Sequence, residues 1–171
     1  KAQVAMFGVK HGDKAVNKKE TEKVEELITS GSLINLRAYK EVGKFDEDYF
    51  IDQVDTEYCL RSISKGFDIV VCNNVFMEHN LGEISAHRSL KTGKITQRSL
   101  HSPVRLYYMT RNFLFLRKQY KSQFPHIIQK HLLGLLNEYK NNLLYNKKRF
   151  TVLKFIFAGF FAYLRGQKGK L

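Results

Sequence analysis

Fifteen of the sixteen acidic residues stand before position 91, and Glu138 is the only acid among seventeen Lys and Arg in positions 91–171. The first ninety residues set twelve cations against fifteen acids, a net of −3, and the remainder carries +16. Such a chain has two differently charged surfaces, and they have different partners. A strongly basic half calls for a polyanion: nucleic acid, an anionic membrane surface or a diphosphate. The pattern of apolar residues changes along the same axis. Short apolar runs broken by turn residues come first, and long runs at helical spacing come after, so the fold class is α/β with a helical appendage. Hydrophobic residues at 43% and charged residues at 26% are those of a globular domain rather than a disordered chain. Two cysteines, Cys59 and Cys72, make neither a disulfide framework nor a four-ligand zinc site, and they fit a reducing compartment.

In the front half, Ala2–Val9 and Ser30–Leu36 read as short strands, with a polar loop over 10–23 between them. Arg37–Gly43 reads as one or two helical turns closed by its glycine. A helix covers the stretch from Thr56 to Lys65, if not from Asp52, and stops at Gly66. Asp68–His79 reads as a strand, and Gly82–Arg98 as an extended loop. Three helices follow: Ser102-Pro103 caps the first, Phe124-Pro125 opens the second, and Phe150–Leu164 forms the third. The third is too short to span a bilayer, which takes roughly 20 apolar residues. Lys147, Lys148 and Arg149 precede it and Arg165, Lys168 and Lys170 follow it, as suits either a helix lying on a membrane surface or a core helix whose end faces water. The domain division read from these patterns is 1–100 and 101–171.

Three features of the acidic half bear on chemistry. Ser30-Gly31-Ser32 offers backbone that a ligand can approach closely. The run from Phe45 to Arg61 holds six acids among large apolar groups, an arrangement that sets carboxylates against one another and out of water. His79 ends an apolar strand and is followed by Asn80-Leu81-Gly82. An acid cluster is ordinarily a solvated face or a helix start, and a lone histidine after a strand is ordinarily structural.

In this order the three are more informative. The stretch SGSLINLRAYKEVGKFDEDYFIDQVDTEYCLRSISKGFDIVVCNNVFMEHNLG, with the later HSPVRLYYMTRN, resembles family-2 glycosyltransferases, nearest to the bacterial rhamnosyltransferases of surface-polysaccharide assembly. The resemblance covers about residues 25–115. It implies the acceptor-side half of an A-type glycosyltransferase fold over 1–100, followed by a basic helical region over 101–171. The activity it implies is inverting transfer of a sugar, rhamnose for choice, from a dTDP- or UDP-sugar to a lipid-linked glycan acceptor. The place of work would be cytoplasmic, peripheral on the inner face of the plasma membrane.

The resemblance also implies roles for residues. Asp55 takes the place of the catalytic base, with Asp52 as runner-up, because a sugar hydroxyl needs a carboxylate within reach as it attacks the anomeric carbon. Glu57 points to acceptor hydroxyls or to Arg61. Gly31 and Ser32 line the acceptor pocket, and Arg105 and Arg111 meet phosphates of donor or acceptor. His79 helps hold a divalent metal, Mn²⁺ or Mg²⁺, that clamps the leaving diphosphate.

The chain departs from the family in lacking the nucleotide-binding half and its Asp-x-Asp metal motif. Asp46-Glu47-Asp48 has that spelling but stands in the wrong segment, so it is rejected as the motif. The chain by itself is therefore expected not to turn over a nucleotide sugar. Two rivals differ in class. A nucleic-acid-binding module is disfavoured, since no RNP, zinc-finger or helix-turn-helix signature accompanies the cations. A non-catalytic membrane-attachment or assembly domain is the other.

Overall fold

The structure, a computed structural model, describes residues 3–11, 20–77, 84–88 and 95–171, with the backbone alone at 11, 84–88 and 96–99. Contacts divide the chain into two compact units, Lys1–Glu47 with Gln53–Asn80, and Asp48–Asp52 with Leu81–Leu171. The molecule is mixed α/β, with a small sheet in the first unit and long helices in the second.

The first unit is built on two parallel central strands, β1 (Val4–His11) and β4 (Asp68–Met77), with Phe7 beside Val70 and Val9 beside Cys72. β2 (Thr21–Val24) pairs antiparallel with β4, and β3 (Leu33–Ile34) pairs antiparallel with β1, giving the order β2-β4-β1-β3. Parallel neighbours need a long crossover, and it contains α1 (Leu36–Val42) and α2 (Val54–Ser64). Ala5, Met6 and Ile69 from the strands bury their side chains against Ala38 and Val42 of α1 and Tyr58 and Cys59 of α2. Asn35 starts α1 in two ways: its side-chain oxygen accepts from the Arg37 amide at 3.0 Å, and its side-chain nitrogen donates to the Val4 carbonyl at 2.9 Å. Gly43, at φ 96°, ends α1, and Gly66, at φ 85°, turns the chain from α2 toward β4.

Two expectations change here. The strand expected over Ser30–Leu36 shrinks to two residues, because residues 29–32 form a turn closed by the Ser32 amide on the Thr29 carbonyl at 3.0 Å. The expected loop over 10–23 gives way, within its described part, to the end of β1 and most of β2; the charged TEKV of β2 is tolerated because it lies at the sheet edge.

In the second unit, β5 (Ile84–Arg88) and β6 (Ile95–Ser99) form an antiparallel ladder where an extended loop was expected. Three helices follow, α3 (Pro103–Tyr120), α4 (Pro125–Tyr145) and α5 (Arg149–Leu164). Ser102 caps α3 as its sequence predicts, its hydroxyl accepting from the Arg105 amide at 3.2 Å. α3 and α5 come close because Gly159 has no side chain; a Cβ there would collide with the Tyr107 carbonyl oxygen. No helix among the described residues is long and apolar enough to cross a membrane.

Candidate active site

In the first unit the acidic run opens into α2. Asp55 stands in the first turn of the helix and is partly exposed. Among the described residues, no hydrogen-bond donor or cation holds its carboxylate. Thr56 and Cys59 tie the same helix to the segment before the Gly31 turn: the Thr56 hydroxyl donates to Glu26 at 3.3 Å, and the Cys59 thiol donates to the Leu27 carbonyl at 3.6 Å. Burial pushes that thiol up to about 12, so Cys59 is a packed, inert sulfur rather than a nucleophile.

Gly31 sits at φ 71°, and a Cβ there would meet Met77 at the end of β4 and Val9 near the end of β1. The turn thus lies at the C-terminal ends of the two parallel strands, the edge where open α/β sheets bind ligands. Ser32 is partly buried, and its hydroxyl donates to the Ile28 carbonyl at 2.7 Å. His79 lies two residues beyond β4 and outside the described residues, so the structure places no ligand role on it. Among the described residues, no group of three His, Cys, Asp or Glu side chains converges to hold a metal.

Glu57 takes the second of its two expected directions. It is 2% exposed, and Arg61 grips it from Nε at 3.0 Å and Nη2 at 2.9 Å. The same guanidinium donates to the Val42 and Lys44 carbonyls, closing the C-terminal end of α1. A carboxylate buried in this ion pair is not offered to acceptor hydroxyls, so the acceptor role expected of Glu57 is corrected to a structural one.

The acidic run as a whole is not a set of mutually repelling carboxylates. Glu47 pairs with Lys44 at 3.0 Å, Asp48 with Lys168 at 3.1 Å, Asp52 with Arg105 at 2.9 Å, and Glu57 with Arg61 at 2.9 Å. Lys44 and Arg61 are neighbours in sequence, but Arg105 and Lys168 are too distant to be visible in the run itself.

In the second unit, Arg105 holds Asp52 through Nε at 3.1 Å and Nη2 at 2.9 Å, the planar fork that matches a carboxylate. His101 joins this cluster, with its Nε2 3.5 Å from a Glu138 carboxylate oxygen. Burial and the nearby Arg105 push the histidine below its ordinary value of 6.5, and Glu138 and Asp52 offset this only in part. The unfolded chain therefore takes up the proton first as pH falls. The stabilising contribution is present above about pH 6.5 and is lost as pH drops through the lower folded value. Melting of the protein is expected to move to lower temperature between pH 7 and 5, and His101→Gln to flatten part of that slope.

Arg111 is 1% exposed. Its Nη1 donates to the Gly169 carbonyl at 2.7 Å, its Nη2 to the Asp48 carbonyl at 3.1 Å, and its Nε to the Asn112 side-chain oxygen at 3.0 Å. Tyr107 and Tyr108 lie under its guanidinium. Buried, and with Nε, Nη1 and Nη2 each donating to an oxygen of the protein, Arg111 ties the chain together rather than reaching outward, and the phosphate role expected of it is corrected to a structural one. Its neighbour Asn112 donates to the Tyr49 and Ile51 carbonyls, each at 2.7 Å, and to the Asp52 carbonyl at 3.2 Å.

The segment so held is unusual. Phe50, Asp52 and Gln53 have φ of 60°, 62° and 66°, a left-handed region that non-glycine residues occupy rarely. Sequence reading missed both the strain and its clamp. Residues 50–53 are Phe, Ile, Asp and Gln, with no glycine to announce such a backbone.

Comparison with known proteins gives the class first: part of the chain is similar to a rhamnosyltransferase-like glycosyltransferase. The particular relative is dTDP-rhamnosyl transferase RfbF of Shigella flexneri, 40% identical over 94 residues. Those residues are 54% of this chain and 30% of that protein, so the chain spans less than a third of its relative's length. No protein-family model matches the chain, and no solved structure matches it.

Proposed function

We propose that this chain supplies the acceptor side of an inverting family-2 glycosyltransferase of A-type fold, which moves rhamnose from a dTDP-linked donor to a glycan acceptor. The observation that carries the proposal is the 40% identity over 94 residues to a dTDP-rhamnosyl transferase. Asp55 is the general base. An acceptor hydroxyl gives its proton to the Asp55 carboxylate as its oxygen bonds to the anomeric carbon. The nucleoside diphosphate leaves from the opposite face with the bonding electron pair, and configuration inverts. Asp52 is the poorer base, since both of its carboxylate oxygens are already engaged by the Arg105 guanidinium.

The Gly31–Ser32 turn walls the acceptor pocket in this reading. Arg105, whose side chain is 43% exposed, has the freedom to exchange Asp52 for a phosphate. A divalent ion, Mn²⁺ or Mg²⁺, belongs to the same proposal with His79 among its ligands; when bound it would neutralise charge on the leaving diphosphate. The enzyme would work from the cytoplasm at the inner membrane face, on a lipid-linked acceptor of surface-polysaccharide synthesis. In this reading the 171 residues by themselves are expected to turn over no nucleotide sugar.

Transfer by the full-length protein from dTDP-rhamnose, with a UDP-sugar as control donor, tests the reading. Rhamnose transfer that stops with chelator and returns with Mn²⁺ or Mg²⁺ is the expected result. Folded protein that transfers no rhamnose refutes it, and transfer indifferent to chelation removes the metal from it.

A further inference from the structure

Helix α5 is apolar on two opposite sides. One side carries Val152, Gly159 and Ala162, all buried, with Ala162 packed on Tyr107 and Tyr108. The other carries Phe150, Leu153, Phe157, Phe160, Phe161 and Leu164, exposed by 91%, 41%, 54%, 41%, 50% and 59%. At 3.6 residues per turn these six fall within an arc of about 100° on one face of the helix. A stripe with four phenylalanines is not what a helix presents to water alone.

The surrounding charge says what would cover it. Residues 139–171 hold eight Lys and Arg and no acid. Lys168 is engaged by Asp48. Among the described residues, Lys147, Lys148, Arg149, Lys154 and Arg165 pair with no carboxylate. A second copy seated on the stripe would bring a second set of these cations beside the first. An anionic lipid surface would meet them with phosphates. The sixteen-residue helix is about 24 Å long, less than the roughly 30 Å of a hydrocarbon core, so it fits the plane of the interface rather than a crossing of it.

We infer that α5 is an interfacial helix for an anionic lipid surface. Its phenylalanine stripe enters the headgroup and acyl boundary, and Lys147, Lys148, Arg149 and Arg165 lie on lipid phosphates. The inference rests on exposure and charge within one helix and does not depend on the transferase reading.

Flotation of the chain with vesicles of phosphatidylcholine, alone or mixed equally with phosphatidylglycerol, tests it. Binding to the mixed vesicles is expected at least about tenfold tighter than to neutral ones and weaker at high salt. Phe157→Ser with Phe161→Ser is expected to lower partition about tenfold or more, with helicity by circular dichroism unchanged. Phe150→Ser, at the most exposed of the six, is a second variant that leaves packing intact and lowers partition in the same direction. Equal binding by the parent and both variants overturns the inference. So does absence of lipid binding together with a concentration-dependent dimer in sedimentation equilibrium, which would assign the stripe to a second copy.

Discussion

Asp55→Asn is expected to lower rhamnosyl transfer by the full-length protein about 10²–10⁴-fold, the usual worth of a general base. The fold should survive, because the change is isosteric and the carboxylate is partly exposed, with no partner among the described residues to strand. Single-turnover kinetics with dTDP-rhamnose and a melting curve for each variant check both halves of the prediction. Asp52→Asn is the informative companion. It breaks the double grip of Arg105, so it should alter the apparent affinity for acceptor or donor more than the chemical step. If Asp55→Asn transfers at the parent rate while Asp52→Asn does not, the base has been misassigned between the two.

Asn112→Ala is expected to destabilise the second unit by about 1–3 kcal/mol, the cost of an unmet buried group, since the Ile51 and Asp52 carbonyls lose their side-chain donor while the Tyr49 carbonyl keeps the Ile51 amide at 2.7 Å and Arg111 at 3.4 Å. The clamp also holds strain, for left-handed backbone at Phe50 and Asp52 costs on the order of 1 kcal/mol or more each and persists only where neighbours over-determine it. Arg111→Lys should be nearly as damaging as Arg111→Ala. An ammonium on a flexible stem cannot reach Gly169, Asp48 and Asn112 together as the planar fork does. Urea unfolding reads the loss of stability, and chymotrypsin cleavage after the half-exposed Phe50 reads the loosening of the segment. Asn112→Ala that unfolds at the parent midpoint and stays uncut would remove the clamp from the account.

What could be read from the chain beforehand was local. Ser102 before Pro103, Gly43 after α1 and Gly66 after α2 mark helix ends through chemistry confined to a few residues, and the structure puts helix ends there. β2 escaped because a charged edge strand looks like a loop until its partner β4 is known. The pairing of β5 with β6 escaped for a related reason, since ISAHR and ITQRS do not alternate clearly enough to declare a buried face. The site divided in the same way. Asp55 is proposed as the base on the resemblance alone, and its placement in the first turn of α2 is local. The engagement of Asp52 by Arg105, fifty-three positions on, and of Asp48 by Lys168 and Arg111 is long-range. A carboxylate run that looks self-repelling in one dimension has four of its six acids paired with cations in three.

The grip of Asn112 on Tyr49, Ile51 and Asp52 also dictates an order of events during synthesis. The strained backbone leaves the ribosome about sixty residues before the side chain that holds it, a delay of roughly 3–12 s at 5–20 residues per second. For that interval residues 50–53 have no reason to visit their final shape. Its last bend is set only when α3 emerges, so the acidic stretch is finished by residues translated after it.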